Sequence, residues 1–214
     1  MSIKAVLFDL DGVLVDATEW HYVALNRALG LFGFEISRYE HLSSYNGLPT
    51  KKKLTMLSVE KGLPETIHDL LNRLKQIYTR DEILTRCRPV FEKEYMLHRL
   101  RREGYRLACC SNSIRETLEL MLRESGILEC FEFIVSNQDV GRAKPDPEIY
   151  VKAIARMGLS PADVVIVEDA PHGVEAARRA GAHVCQVRGF ADVDYFRVRA
   201  AIERANGEAG RRVA

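Results

Sequence analysis

Lys4-Ala5-Val6-Leu7-Phe8-Asp9-Leu10-Asp11-Gly12 is a short apolar run that stops at two carboxylates and a glycine. Apolar runs of this length, without polar alternation, mark strands buried on both faces of a parallel sheet. Runs like residues 4–8 recur at 106–110, 131–136, 163–167 and 183–187. Helical patterns lie between the later ones, at 89–104, 114–125, 147–157 and 173–180. Gly104, Gly126, Gly158 and Gly181 sit at or just past their ends, where a helix commonly terminates. Helix, glycine and strand in repetition predict right-handed βαβ units and an α/β, doubly wound parallel sheet of the Rossmann-like kind.

Residues 17–85 break this rhythm. The patterns at 19–31, 50–61 and 65–80 are helical, and Gly33, Gly47-Leu48-Pro49 and Gly62-Leu63-Pro64 interrupt them. A connection this long between the first and second strands exceeds an ordinary crossover. It is expected to be an inserted α-helical cap domain. The expected division is therefore an α/β core of residues 1–16 and 86–214 and a cap of 17–85.

Composition excludes several alternatives. The chain has 214 residues, 47% hydrophobic and 29% charged, with a formal net charge of +1, so no global field argues for nucleic acid or a membrane surface. No apolar run approaches the roughly 20 residues that span a bilayer. No charged-then-apolar leader precedes the first strand, and a cytoplasmic location is expected. Five cysteines without a C-x-x-C spacing argue against a disulfide framework and a zinc site.

Ligands of open parallel sheets bind beyond the carboxyl ends of the strands. The residues just past each strand are therefore the informative ones. They are Asp9-Leu10-Asp11-Gly12 after the first, Ser111-Asn112-Ser113 after the second, a loop reaching Lys144-Pro145-Asp146-Pro147 after the third, and Glu168-Asp169 after the fourth. Asp9, Asp11, Glu168 and Asp169 would repel one another on a single rim unless cations sit among them. Lys144 supplies one positive charge and a divalent cation the rest; an all-oxygen ligand set points to Mg²⁺. Ser111 and Asn112 also suit a helix N-terminus that cradles phosphate.

With these four motifs in order, the chain resembles the haloacid dehalogenase superfamily of hydrolases, in its helical-cap subgroup of phosphoglycolate phosphatase-like and beta-phosphoglucomutase-like enzymes. The resemblance implies a Mg²⁺-dependent phosphatase that hydrolyses a small phosphate monoester, a sugar phosphate or a phosphoglycolate-like compound, through an aspartyl-phosphate. It implies Asp9 as nucleophile and Asp11 as acid and base. Lys144 would neutralise charge, and Ser111 and the Asn112 amide would hold phosphate oxygens. Asp9, the Asp11 carbonyl, Asp169 and, through water, Glu168 would surround the metal. In the cap, His21, Gly47, Thr50 and Lys51 are the expected substrate contacts. The alternatives are a sugar-phosphate mutase using the same Asp9 chemistry and a non-catalytic regulator. The expected partner is a small phosphorylated metabolite, with neither nucleic acid nor membrane involved, and the expected state is a monomer or weak homodimer.

Overall fold

The computed structural model describes residues 2–211. In chain order these form β1 (Ala5–Phe8), α1 (Thr18–Gly30), the single turn α2 (Arg38–Glu40), α3 (Thr50–Lys61), α4 (His68–Arg86) and α5 (Phe91–Arg102). Next come β2 (Arg106–Cys110), α6 (Arg115–Glu124), β3 (Phe133–Val135), α7 (Glu148–Arg156), β4 (Val164–Glu168), α8 (Pro171–Arg179), β5 (His183–Gln186) and α9 (Tyr195–Arg211). The chain divides into two compact units: residues up to Asp16 joined by those from Arg88 onward, and Ala17–Cys87. Among the described residues no helix is long and apolar enough to cross a membrane. Cys87, Cys109, Cys110, Cys130 and Cys185 are buried free thiols.

The strands of the first unit form a five-stranded sheet in the order β3-β2-β1-β4-β5, with every pairing parallel. β1 lies at the centre because all four of its side chains are apolar and buried. Side chains alternate between faces along a strand. Ala5 and Leu7 join Ala108, Cys110, Val164 and Ile166 in a cluster with Ile149, Tyr150 and Ala153 of α7 and Ala176 and Ala177 of α8. The alternate residues Val6, Phe8, Leu107, Cys109, Val165 and Val167 are buried too, so both faces are covered. The helices α5 to α8 each stop two residues before the expected glycine, and Gly104 after α5 takes φ +88°, the left-handed conformation of a helix stop.

The Ala17–Cys87 unit has its own core of Leu25, Ala28, Leu29, Ile36, Tyr45, Leu54, Leu57, Leu63 and Leu71. Asn26 clamps the loop after α1: its Nδ2 donates to Ile36 O at 2.8 Å and its Oδ1 accepts from Ile36 N at 2.9 Å. Beyond the extra turn α2, three elements depart from expectation. The helix expected at 65–80 starts with a 3₁₀ turn, Glu65–Ile67, and runs on to Arg86. Its buried stripe includes Lys75 and Thr79 between Leu71 and Ile83, and these polar residues mask the apolar periodicity. The third strand is shorter than 131–136, since only Phe133, Ile134 and Val135 pair with β2 and Ser136 caps the 3₁₀ turn that follows. Helix α9 adds an element beyond those expected, although Val198, Ala201, Ile202 and Ala205 are spaced as one buried face.

Ile166 is fully buried in the central cluster. Ile166→Ala is therefore expected to cost about 2–5 kcal/mol in stability, read as a lowered urea midpoint. Val59→Ala, at a side chain 84% exposed, should change stability by less than about 0.5 kcal/mol.

Candidate active site

Strand register builds the site. Phe8 pairs with Cys109 on one side and Val167 on the other, so the next residue, Asp9, stands level with Cys110 and Glu168 at the carboxyl edge. The Asp9 amide continues the ladder by donating to Val167 O at 3.0 Å, and the Ser111 amide does the same to Val135 O at 3.0 Å. Beyond Asp9 the chain folds back at once, with the amides of Leu14 and Val15 donating to Leu10 O at 2.9 and 3.0 Å. Gly12 lies in that turn at φ +83°, and a Cβ there would overlap the Asp169 carboxylate. The glycine is thus required twice, by its backbone conformation and by the close approach of Asp169.

Lys144 comes from the loop before α7, next to a cis Lys144–Pro145 peptide bond. Its Nζ donates to Asp9 Oδ1 at 2.6 Å, Glu168 Oε1 at 2.6 Å and Cys110 O at 2.8 Å. Those three bonds use all three donors of an ammonium. Nζ also lies 4.8 Å from the centre of the Tyr150 ring, and the Tyr150 hydroxyl donates to the same Glu168 Oε1. The loop is tied down from the next strand: Asn112 Oδ1 accepts from Lys144 N at 3.1 Å, and Asn137 Nδ2 donates to Asn112 O at 2.8 Å. Glu168 fits because the residue facing it in α8 is Gly173, where a Cβ would overlap its carboxylate.

Lys144, Glu168 and Asp9 are all nearly inaccessible to water. Burial disfavours the charge on Lys144, but Asp9 and Glu168 outweigh it and hold its pKa above the ordinary lysine value. Burial, then the charge of Glu168, push Asp9 well above the carboxylate range, with Lys144 opposing. Burial, then Glu168 and Asp11, push Asp169 up to about 6. The Tyr150 phenol is raised by burial and Glu168, so it remains a donor. These directions describe a site with more negative charge than one lysine balances.

Asp9, Glu168 and Asp169 each offer a carboxylate oxygen within 4.8 Å of the others, and Asp169 Oδ1 is buried with no hydrogen-bond partner. An orphaned buried oxygen in an all-carboxylate cluster fits a hard divalent cation such as Mg²⁺. The Asp11 carboxylate is held elsewhere: Oδ2 accepts from Ser113 Oγ at 3.0 Å and Ser111 Oγ at 3.3 Å. Ser111 Oγ in turn accepts from Ser113 N at 3.0 Å.

Of the residues expected from sequence, Asp9, Lys144, Glu168 and Asp169 form one cluster, and Asp11 is bonded to Ser111. Asn112 lies beside them with its side chain committed to the Lys144 backbone. His21, Gly47, Thr50 and Lys51 belong to the Ala17–Cys87 unit. His21 is buried on α1, its Nδ1 3.2 Å from Lys75 Nζ. Gly47 takes φ +72°, Thr50 opens α3 and Lys51 is exposed. Sequence reasoning assigns no role to Tyr150, Ser113 or Gly173. Tyr150 reads only as an apolar-face residue of α7, and nothing in the sequence pairs it with Glu168.

Fold and site together define an α/β enzyme with carboxylates gathered around one lysine at the rim of a parallel sheet. A family model described as haloacid dehalogenase-like hydrolase matches residues 6–187. The phosphoglycolate phosphatase of Nitrosospira multiformis is 33% identical over 198 residues, covering 89% of this chain and 86% of that protein. The beta-phosphoglucomutase of Bacillus subtilis is 30% identical over 192 residues, covering 84% of this chain and 80% of that protein. A crystal structure of beta-phosphoglucomutase from Clostridium difficile has the same fold, with a TM-score of 0.82 at 20% identity, covering 94% of this chain and 98% of that one. The chain belongs to the haloacid dehalogenase-like hydrolases.

The raised carboxyls carry a pH signature. Unfolded, aspartates ionise near 3.8; folded and metal-free, Asp169 holds its proton up to about pH 6 and Asp9 is shifted the same way. Between those values these two carboxyls bind more protons in the native state than in the unfolded state, so their contribution to stability falls as pH rises. In chelator, the melting temperature of wild type minus that of Asp169→Asn is expected to fall as pH rises through that window. A difference that rises with pH there would contradict the assignment of a raised Asp169.

Proposed function

We propose that this chain is a Mg²⁺-dependent phosphatase that hydrolyses a small phosphate monoester, a sugar phosphate or phosphoglycolate-like compound, through a phosphorylated Asp9. The observation that carries this is the Lys144 ammonium shared between Asp9 and Glu168, with the unpartnered Asp169 Oδ1 beside them.

Asp9, the carbonyl of Asp11 and Asp169 would hold the cation, with Glu168 acting on its hydration. Bound there, Mg²⁺ would supply the positive charge that lets these carboxylates stay ionised next to a phosphate dianion. Lys144 occupies one oxygen of Asp9 and leaves the other to attack phosphorus. As the bond from Asp9 to phosphorus forms, the bond from phosphorus to the ester oxygen breaks, and Asp11 delivers a proton to the leaving alkoxide. Asp11 then takes a proton from the water that attacks the aspartyl-phosphate, releasing inorganic phosphate and free Asp9. Its two serine donors keep the Asp11 carboxylate turned away from the lysine cluster, so the two aspartates hold different roles. During transfer, Ser111 exchanges its bond to Asp11 for a phosphate oxygen, and the Asn112 amide supplies a second donor. Catalysis of this kind consists mainly of positioning and charge stabilisation.

The helical unit is proposed to act as the substrate-selecting cap, with His21, Gly47, Thr50 and Lys51 as its contacts. A mutase is the second reading, favoured by the identity to the Bacillus subtilis enzyme. Incubation with a hexose 1-phosphate separates the two, since a phosphatase releases inorganic phosphate and a mutase yields hexose 6-phosphate.

Asp9→Asn is expected to lower turnover by at least about a thousandfold. Chelation should abolish activity and added Mg²⁺ restore it, measured as phosphate released from a panel of phosphorylated metabolites. Substantial Mg²⁺-dependent turnover by Asp9→Asn in a clean preparation would defeat the nucleophile assignment.

A further inference from the structure

Glu168 Oε1 accepts two hydrogen bonds at once, one from Lys144 Nζ at 2.6 Å and one from the Tyr150 hydroxyl. Lys144 alone cannot fix the carboxylate, because it also serves Asp9 and Cys110 O. Lacking a second donor on Oε1, Glu168 would be free to turn both oxygens toward the ammonium, its strongest electrostatic partner. Tyr150 opposes this, its hydroxyl holding the same oxygen. It is fully buried in the core cluster between α7 and the sheet, so its ring is held by packing and its hydroxyl has a defined position. The missing Cβ of Gly173 gives the carboxylate room to stay there.

We infer that Tyr150 is a positioning residue of the metal site: its hydroxyl and Lys144 together saturate one oxygen of Glu168 and thereby reserve the other for the hydration of the cation held by Asp9 and Asp169. This role rests on the proposed metal site and adds a residue to it that does not itself touch metal or substrate. Outer partners that orient the groups around a bound metal commonly account for roughly 10–100-fold in metal affinity.

The test is a calorimetric titration of Mg²⁺ alone into the metal-free full-length protein, comparing wild type, Tyr150→Phe and Asp169→Asn. Phenylalanine keeps the packed ring, and Glu168 retains Lys144, so Tyr150→Phe is expected to fold. It should bind Mg²⁺ about tenfold more weakly, and its turnover should recover as Mg²⁺ is raised, with KM for substrate at saturating Mg²⁺ unchanged. A purely structural role would lower the melting temperature and leave the titration where it was. Unchanged Mg²⁺ affinity in Tyr150→Phe, with binding lost in Asp169→Asn, would overturn the role of Tyr150 alone. Wild-type affinity in Asp169→Asn would instead remove the metal site, and this inference with it.

Discussion

One buried ammonium organises the carboxyl edge of the sheet. Lys144 Nζ is enclosed by Asp9, Glu168 and a backbone carbonyl, and burying a charge is tolerable only where partners replace water. Removing one member of such a set leaves an uncompensated buried charge, a loss of about 3–5 kcal/mol in comparable cases. The fold meets this demand from several directions. Parallel register places Asp9 and Glu168 on adjacent strands at the same level. Asn112 anchors the loop that carries the lysine. Glycine at position 173 leaves space for the second carboxylate.

The same enclosure leaves the site short of positive charge. One lysine stands against Asp9, Glu168 and Asp169, and burial and mutual repulsion raise Asp9 and Asp169 above their ordinary range. A site in this condition would be relieved by a divalent cation. Asp11 adds to this repulsion, but its own carboxylate is held by serine hydroxyls. Environment thus gives two aspartates two residues apart different partners, the separation that the proposed nucleophilic and acid–base roles require.

The helical unit solves a different packing problem. Its helices share a leucine-rich core yet also bury Lys53, Lys75, His21 and His41. Burial, then the charge of Lys53, push His41 down to about 4, so it is neutral at physiological pH. These basic side chains on buried helix faces make α4 hard to delimit from sequence and give His21 a neighbour, Lys75, that lies 54 positions away.

Sequence alone determined the α/β class, the core strands and the identity of the residues at their carboxyl ends. Apolar runs and helix-ending glycines are local signals, and a carboxylate directly after a buried strand has only one rim on which to lie. Tertiary structure decided which of those residues touch. The sharing of Lys144 between two carboxylates, the turning of Asp11 toward Ser113 and the bond from Tyr150 to Glu168 join positions 18 to 135 residues apart. Such contacts depend on strand order and loop path, which short-range periodicity does not encode.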